Sequence, residues 1–232
     1  NLRRSLDSVD GVLRTVRAEY LLRGTAPHLG DFVRTLTVNN PLILGAGIAD
    51  ERGELIATSA PLIPGVVNIA DRPHFKAQVD VLGDELYVGQ PLASLATGRP
   101  AIFVTRRIQK ADGGFGGVVV ASIDPMVLAA FFRSIDVGQH GVVVILGRDG
   151  IVRVRVDGRG DTVFGADVQR SPSLSLAETA PAGIFRLNSI LDNISRIFAY
   201  RVMRTAPLVV IVARAEDEIL ADARSKRPQY FV

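Results

Sequence analysis

The stretch DRPHFKAQ, residues 71–78, concentrates side chains that could bind an anion or move a proton. Arg72 can offer two parallel donors to a carboxylate or phosphate, and the start of a helix adds backbone N–H groups. His74 and Phe75 would then wall a pocket. A structural interpretation is also open: Asp71 caps a short helix, the proline occupies its first turn, the phenylalanine enters the core, and the arginine and histidine point into solvent.

Two strands that follow in the chain supply further candidates for such a pocket. Alternation along a strand sends every second side chain to the same face. Thr105 and Arg107 therefore share one face of their strand, and Arg106 takes the other. The sequence leaves open which face points inward. The candidates on the preceding strand are Tyr87, Gln90 and Ser94.

No constellation typical of an enzyme is present. The three histidines, His28, His74 and His140, lie in separate segments without an HExxH motif, and there is no cysteine, so no metal site is predicted. GGFGG (113–117) lacks the Gly-Lys-Ser/Thr of a phosphate-binding loop and indicates a hairpin turn with a close backbone contact. No serine lies in a GxSxG motif. We predict a non-catalytic domain without cofactors; an enzyme with another kind of site is the open alternative.

Composition limits the class of protein. The 232 residues are 47% hydrophobic, with 27 basic and 24 acidic side chains and a formal charge of +3. This is enough for a globular protein with a large core, and the charge is too balanced to predict nucleic-acid binding. The lack of cysteine fits the bacterial periplasm. No apolar run approaches the roughly 18 to 20 residues of a membrane span. Because the chain starts without methionine, we expect a fragment of a longer, membrane-anchored protein.

The apolar pattern at the start of the chain predicts one long helix. Its apolar positions alternate in steps of four and three, as in a heptad repeat. They are Leu2, Leu6, Val9, Leu13, Val16 and Tyr20. This stripe either packs on its own domain or forms the seam of a homodimer. A break near Pro27 precedes a second, shorter helix at 31–36.

From Pro41 onward the pattern changes to strands, and it occurs twice. GIADERGELIATS and, about 100 residues later, VVVILGRDGIVRVRV are both strand-turn-strand segments. ISRIFAYRVMRTAPLVVIVAR likewise repeats the hairpin AIFVTRRIQKADGGFGGVVVAS. A repeat of this length predicts duplicated sheet domains rather than a solenoid. Between them, Asp124 and Pro125 indicate the start of a linking helix.

We therefore predict an α+β protein in which a long N-terminal helix is followed by two tandem antiparallel-sheet subdomains. The predicted divisions are 1–40 for the two N-terminal helices, 41–136 for the first subdomain with its linking helix, 137–214 for the second, and 215–232 for a C-terminal helix. Helices at both ends suit a module inserted between two membrane spans.

The order of these segments resembles the double Cache (dCache) sensor domains. The resemblance is carried by DRPHF, VGQP, GRP with TRRI, DGGFGGVVVASIDP, FFRSIDVGQHG and GRDGIVRVR, and it extends from Asn1 to about Arg224. Domains of this family are extracytoplasmic ligand-binding modules of bacterial chemoreceptors, sensor histidine kinases, and diguanylate cyclases or phosphodiesterases. The resemblance implies two PAS-like subdomains, with a small molecule bound in the membrane-distal one, here roughly 41–124.

The resemblance also implies which residues contact that molecule. In the subgroup that binds α-amino acids, the site consists of an Arg-x-Trp-Tyr stretch, a tyrosine on the next strand, and an aspartate near the end of the last distal strand. Here Arg72 matches the arginine, whereas His74 and Phe75 replace the tryptophan and the tyrosine. The strand tyrosine is absent. Ser122 takes the place of the aspartate, and Asp124 follows two residues later.

These differences remove acceptors for an α-ammonium group, and burying that group unpaired costs about 1 to 3 kcal/mol. The arginine remains for an anion, so we expect a small carboxylate as the ligand. The predicted protein is an extracytoplasmic sensor domain in the periplasm, anchored in the inner membrane and dimeric through its N-terminal helix. The alternative is a domain of the same receptor type that binds no ligand and serves dimerisation or protein interaction.

Overall fold

Each of two successive parts of the chain forms one antiparallel sheet. The computed structural model describes residues 2–59, 68–95 and 97–226. Contacts divide the chain into Asn1–Leu128 and Ala129–Val232. The predicted α+β architecture, with a long first helix and two tandem sheets, is confirmed. The finer divisions at residues 40, 136 and 214 stay predictions.

The first unit is a five-stranded antiparallel sheet in the order β2-β1-β5-β4-β3. Its elements are α1 (Leu2–Arg23), α2 (Leu29–Val38), β1 (Ile43–Ala49), β2 (Leu55–Thr58), α3 (Pro73–Val79), β3 (Tyr87–Ala93), β4 (Pro100–Gln109), β5 (Phe115–Ile123) and the start of α4 (Pro125–Phe132). Both predicted hairpins are present. Helix α2 is longer than the predicted 31–36, because Leu29 and Thr37 also bury their side chains.

The apolar stripe of α1 packs on its own unit. Leu6, Val9, Leu13 and Val16 are at most 3% exposed, and the helix lies against β4, β5 and α2. Of the two interpretations of the stripe, the structure therefore shows packing within the domain. Dimerisation through the N-terminal helix stays a prediction, and it would use residues of α1 outside these four.

The second unit is a six-stranded antiparallel sheet in the order β8-β7-β6-β11-β10-β9. Its elements are β6 (Val142–Gly147), β7 (Val152–Asp157), β8 (Thr162–Val163), α5 (Pro172–Thr179), β9 (Ala182–Asn188), β10 (Ser195–Val202), β11 (Leu208–Ala215) and α6 (Glu216–Lys226). The repeated strand-turn-strand and hairpin segments are both present. Residues 227–232 of the predicted C-terminal helix lie outside the described residues.

Side chains of the second unit fill the sheet face that α5 covers. The rings of Phe185 and Phe198 stack with 5.2 Å between centroids, and the Tyr200 hydroxyl donates to the Leu176 carbonyl at 2.9 Å. Val144 and Ile211 complete this core with other buried apolar residues. The candidate binding residues all belong to the first unit.

Candidate functional site

Helix α3 begins one residue later than the sequence suggested. Its N-cap is Arg72, which has extended backbone (φ −78°, ψ 139°), and Pro73 occupies the first turn. The prediction of Asp71 as the cap is wrong, because a proline forces the residue before it into the extended region. The Asp71 carboxylate is fully exposed and lies 3.5 Å from the Lys76 ammonium group.

Phe75 lies in the core of the first unit. Its side chain is 4% exposed, and its ring meets the edge of the Phe115 ring at 5.4 Å between centroids. Ile69, Val118 and Val120 belong to the same apolar cluster. Phe75 thus anchors α3 to the sheet, and a contact between its ring and a ligand stays a prediction.

Arg72 and His74 meet at the ring of Phe103 on β4. The His74 imidazole is 2% exposed and stacks on Phe103 with 4.3 Å between centroids and 13° between planes. The Arg72 guanidinium carbon lies 5.9 Å from the centre of the same ring, and its Nη2 donates to the Ala93 carbonyl at 2.8 Å. Two buried nitrogens, Arg72 Nε and His74 Nδ1, have no hydrogen-bond partner among the described residues.

The buried imidazole is neutral at physiological pH. Burial, together with the positive charge of Arg72, lowers the pKa of His74 from its ordinary 6.5 to about 4. Because the pKa of His74 is lower in the folded state than in the unfolded state, its neutral form favours folding. This contribution to stability is complete at pH values above the unfolded pKa. This stabilisation is lost as the pH falls towards the folded pKa.

We therefore expect the free energy of unfolding to decrease by about 2 to 3 kcal/mol as the pH falls from roughly 6.5 to 4, because unfolding takes up a proton on His74. Chemical denaturation at a series of pH values measures this decrease. In a His74→Asn variant, the free energy of unfolding should not decrease between pH 7 and 4.5. Aspartates contribute little to the pH dependence in this range, because their ordinary pKa lies below it. A wild-type stability that is constant between pH 7 and 4.5 would contradict a low pKa at His74.

Thr105 and Arg107 hold α3 against the sheet. The Thr105 hydroxyl donates to the His74 carbonyl at 3.0 Å, and Gln78 Nε2 donates to the Thr105 carbonyl at 2.9 Å. Arg107 Nη1 donates to the carbonyls of Gln78 and Val79 at 2.7 and 2.6 Å. A guanidinium at the carboxyl end of a helix also faces the negative end of its dipole. Both residues share one face of β4, as predicted, but these groups bind the protein itself.

The remaining candidates lie along the same sheet face or at its edge. Tyr87 is half-buried and pairs directly with Thr105 across β3 and β4. Gln90 and Ser94 are half-buried on β3 and just beyond its end. The Ser122 hydroxyl donates to the Gly45 carbonyl at 3.2 Å, and Ser122 pairs with Phe103 across β4 and β5.

Asp124 begins α4, as the sequence indicated. Its Oδ1 accepts from the Met126 backbone N–H at 2.8 Å, and its Oδ2 lies 3.7 Å from an Arg99 nitrogen. Both carboxylate oxygens therefore already have a partner. A direct contact between Asp124 and a ligand stays a prediction.

Sequence reasoning missed two residues of this site, Phe103 and Gln78. Phe103 lies two residues before Thr105, so strand alternation alone assigns it to the same face. The signal for Gln78 is weaker, because its bonding partners lie on β4, 27 residues further along the chain. Together these residues connect the start of α3 to the middle of the sheet.

Arg106 lies on the opposite face of β4 and binds α1. Its side chain is 4% exposed and donates to both carboxylate oxygens of Asp10 and to Asp84 Oδ1, the last at 2.8 Å. Arg17 on α1 also donates to both oxygens of Asp84, at 2.5 and 2.9 Å. The hydrogen bonds from Arg17 hold the pKa of Asp84 well below its usual range. These ion pairs join α1 to β4.

The chain is similar to sensor domains of known receptors. The dCache-like model described as "Histidine kinase sensor domain" matches residues 127–213. The extracellular domain of rpHK1S-Z16, assigned as a histidine kinase, shares 27% identity and a TM-score of 0.83, with 94% of this chain and 89% of that chain covered. No curated protein sequence matches significantly.

Two chemoreceptor domains share the fold at lower identity. The CtaA ligand-binding domain of Pseudomonas fluorescens, in complex with L-isoleucine, has a TM-score of 0.69 and 15% identity, with 95% of this chain and 89% of that chain covered. The PctB domain of Pseudomonas aeruginosa PAO1, in complex with L-Arg, has a TM-score of 0.65 and 14% identity, with 92% and 88% covered.

The fold, the family model over residues 127–213 and the histidine kinase domain all make the chain similar to sensor domains of the dCache type. The resemblance predicted from the sequence motifs is thereby confirmed. Within residues 2–59, 68–95 and 97–226, no helix has both the length and the apolar character of a membrane span. The same residues bring together no group of three or more potential metal ligands.

Proposed function

We propose that this domain is the ligand-sensing part of a bacterial transmembrane signalling protein, that it lies in the periplasm, and that its first unit binds a small carboxylate beside Arg72. The observation that carries the proposal is the pair of unpartnered buried nitrogens, Arg72 Nε and His74 Nδ1, at the ring of Phe103. Buried polar groups are nearly always hydrogen-bonded. An anion that accepts from both nitrogens would supply the partner they lack.

A carboxylate fits this site better than an α-amino acid. The guanidinium fork matches the two oxygens of a carboxylate. The residues in place of ammonium acceptors are already engaged, since the Ser122 hydroxyl donates to Gly45 and the Asp124 carboxylate accepts from Met126. The CtaA and PctB domains are seen in complex with amino acids, L-isoleucine and L-Arg among them. The different residues at positions 74, 75 and 122 support a different ligand here.

Occupancy of this site changes the packing of α1 in the proposed mechanism. Helix α3 is bonded to β4 through Thr105 and Arg107, and the residue between them, Arg106, is bonded to α1. A ligand can shift this equilibrium only by its difference in affinity for the two states. In the full-length receptor, the domain acts as a membrane-anchored homodimer.

Replacing Arg72 with alanine should weaken the binding of small carboxylates about tenfold to a hundredfold, because a charge-assisted hydrogen bond contributes roughly 1.5 to 3 kcal/mol. Thermal-shift screening of organic acids, amines and sugars identifies the binders, since a ligand at 100 times its dissociation constant adds about 2.7 kcal/mol of stability. Isothermal titration calorimetry of the best acid then compares the variants.

Arg52→Ala is the matched control, because Arg52 is an exposed arginine in the β1–β2 turn of the same unit. It should bind the acid as the wild type does. If only amines or sugars bound, the proposal of a carboxylate ligand would be wrong. A screen without any binder would favour the alternative, a domain that serves dimerisation or protein interaction.

A further inference from the structure

We propose that His74 takes up a proton when an anion binds beside Arg72, so that the site binds its ligand more tightly as the pH falls. The inference rests on the proposed function, because it concerns the regulation of the same site. It makes His74 a recognition residue whose charge appears only in the complex. The ligand is then an anion with at least two acceptor oxygens, one for each cation.

The His74 imidazole and the Arg72 guanidinium both lie against the ring of Phe103. His74 stacks on Phe103, and the Arg72 guanidinium carbon lies 5.9 Å from the centre of that ring. Arg72 Nε and His74 Nδ1 are both buried, and neither has a partner among the described residues. One carboxylate whose oxygens accept from both nitrogens removes two unsatisfied groups at once. A neutral imidazole can leave Nδ1 without a proton, whereas an imidazolium always offers a donor there.

The charges around His74 explain why the proton is absent before the anion arrives. On α3, Arg72 is the charged group that acts on the imidazole, and it lowers the pKa of His74 in addition to burial. Lys76 is exposed and pairs with Asp71. No described carboxylate acts on His74, so nothing offsets the positive charge of Arg72.

The strands against α3 bring no counter-charge either. On β4, Arg107 bonds to the far end of α3 and Arg106 points to the other face. The titratable residue on β3 is Tyr87, and β5 has none. The segment 60–67 reads APLIPGVV and contains no titratable side chain. An anion from outside would therefore supply the negative charge that raises the pKa of His74.

A proton titration of the imidazole rings tests this inference directly. The chain has only three histidines, so their ring C–H signals can be followed by NMR, and a His74→Asn variant identifies the signal of His74. Without added anion, that signal should titrate near pH 4. With saturating acetate or methanesulfonate, its midpoint should rise by about one pH unit or more.

The affinity for methanesulfonate gives an independent readout, because this probe stays ionised throughout the range. Its dissociation constant should be about fivefold or more higher at pH 7.5 than at pH 4, as a rise of one unit or more in the pKa of His74 requires. The His74→Asn variant should bind with a constant that does not change with pH. The His28→Asn control, which alters an exposed histidine beside Glu19, should keep the wild-type dependence.

The outcomes separate this inference from the proposed function. If a probe binds through Arg72 but the His74 midpoint stays near pH 4, or the wild-type affinity is independent of pH, proton uptake is overturned and the carboxylate site remains. If neither probe binds at any pH, the inference fails together with the carboxylate site.

Discussion

Replacing Asp192 with alanine should destabilise the domain by about 3 to 5 kcal/mol, because it leaves two buried guanidinium groups without a counter-charge. Arg196 is 1% exposed, and its two terminal nitrogens donate to the two Asp192 oxygens at 2.6 and 2.7 Å. Arg155 donates to the same carboxylate at 2.5 Å. Although burial alone would raise the pKa of Asp192, the hydrogen bonds from Arg196 lower it to about 2.

Chemical denaturation near neutral pH measures this loss. Asp217→Ala is the matched control, because Asp217 is an exposed acid on α6 of the same unit. The free energy of unfolding of this variant should stay within about 0.5 kcal/mol of the wild type. A loss below about 1 kcal/mol for Asp192→Ala would show that the two arginines do not depend on this carboxylate for their burial.

A Gly117→Ala substitution should cost about 3 kcal/mol, because the backbone of β5 passes directly against the end of β1. Gly117 has φ +116°, and a Cβ atom there would overlap the carbonyl oxygen of Ala49. The overlap involves main-chain atoms, so the strands themselves would have to separate. The thermal unfolding midpoint and chemical denaturation both measure the effect.

Gly11→Ala provides the contrasting control. Gly11 lies within α1, and a Cβ atom at this position meets nothing within 4 Å. Alanine should therefore stabilise the domain by about 0.5 to 1 kcal/mol through its helix propensity. A Gly117→Ala variant as stable as the wild type would contradict the close approach of the β1 and β5 backbones at this position.

Features with a local cause were predictable from the sequence. The apolar stripe of α1, the paired hairpins and the start of α4 at Asp124 all follow from residue spacing and capping. GGFGG was likewise interpreted correctly as a turn with a close backbone contact, since Gly113 has φ +85° and Gly117 lies against Ala49. Even here the cap of α3 was misplaced by one residue, because the effect of Pro73 on its predecessor outweighs the capping preference of aspartate.

The partners of the binding residues were not predictable, because they come from distant parts of the chain. The sequence placed Thr105 and Arg107 on one face but could not show that their donors are used by His74, Gln78 and Val79, some 30 residues earlier. Whether an arginine binds a ligand or the end of a helix depends on tertiary packing, which a single sequence does not contain.

Three consecutive residues of β4 set the mechanical properties of the first unit. Thr105 and Arg107 bond to α3 on one side of the strand, and Arg106 bonds to α1 on the other. Neighbouring peptide units are covalently joined and rigid, so a translation of α3 strains the bonds to α1 without any intervening loop to absorb it. A displacement of one helix therefore changes the hydrogen bonds that hold the other.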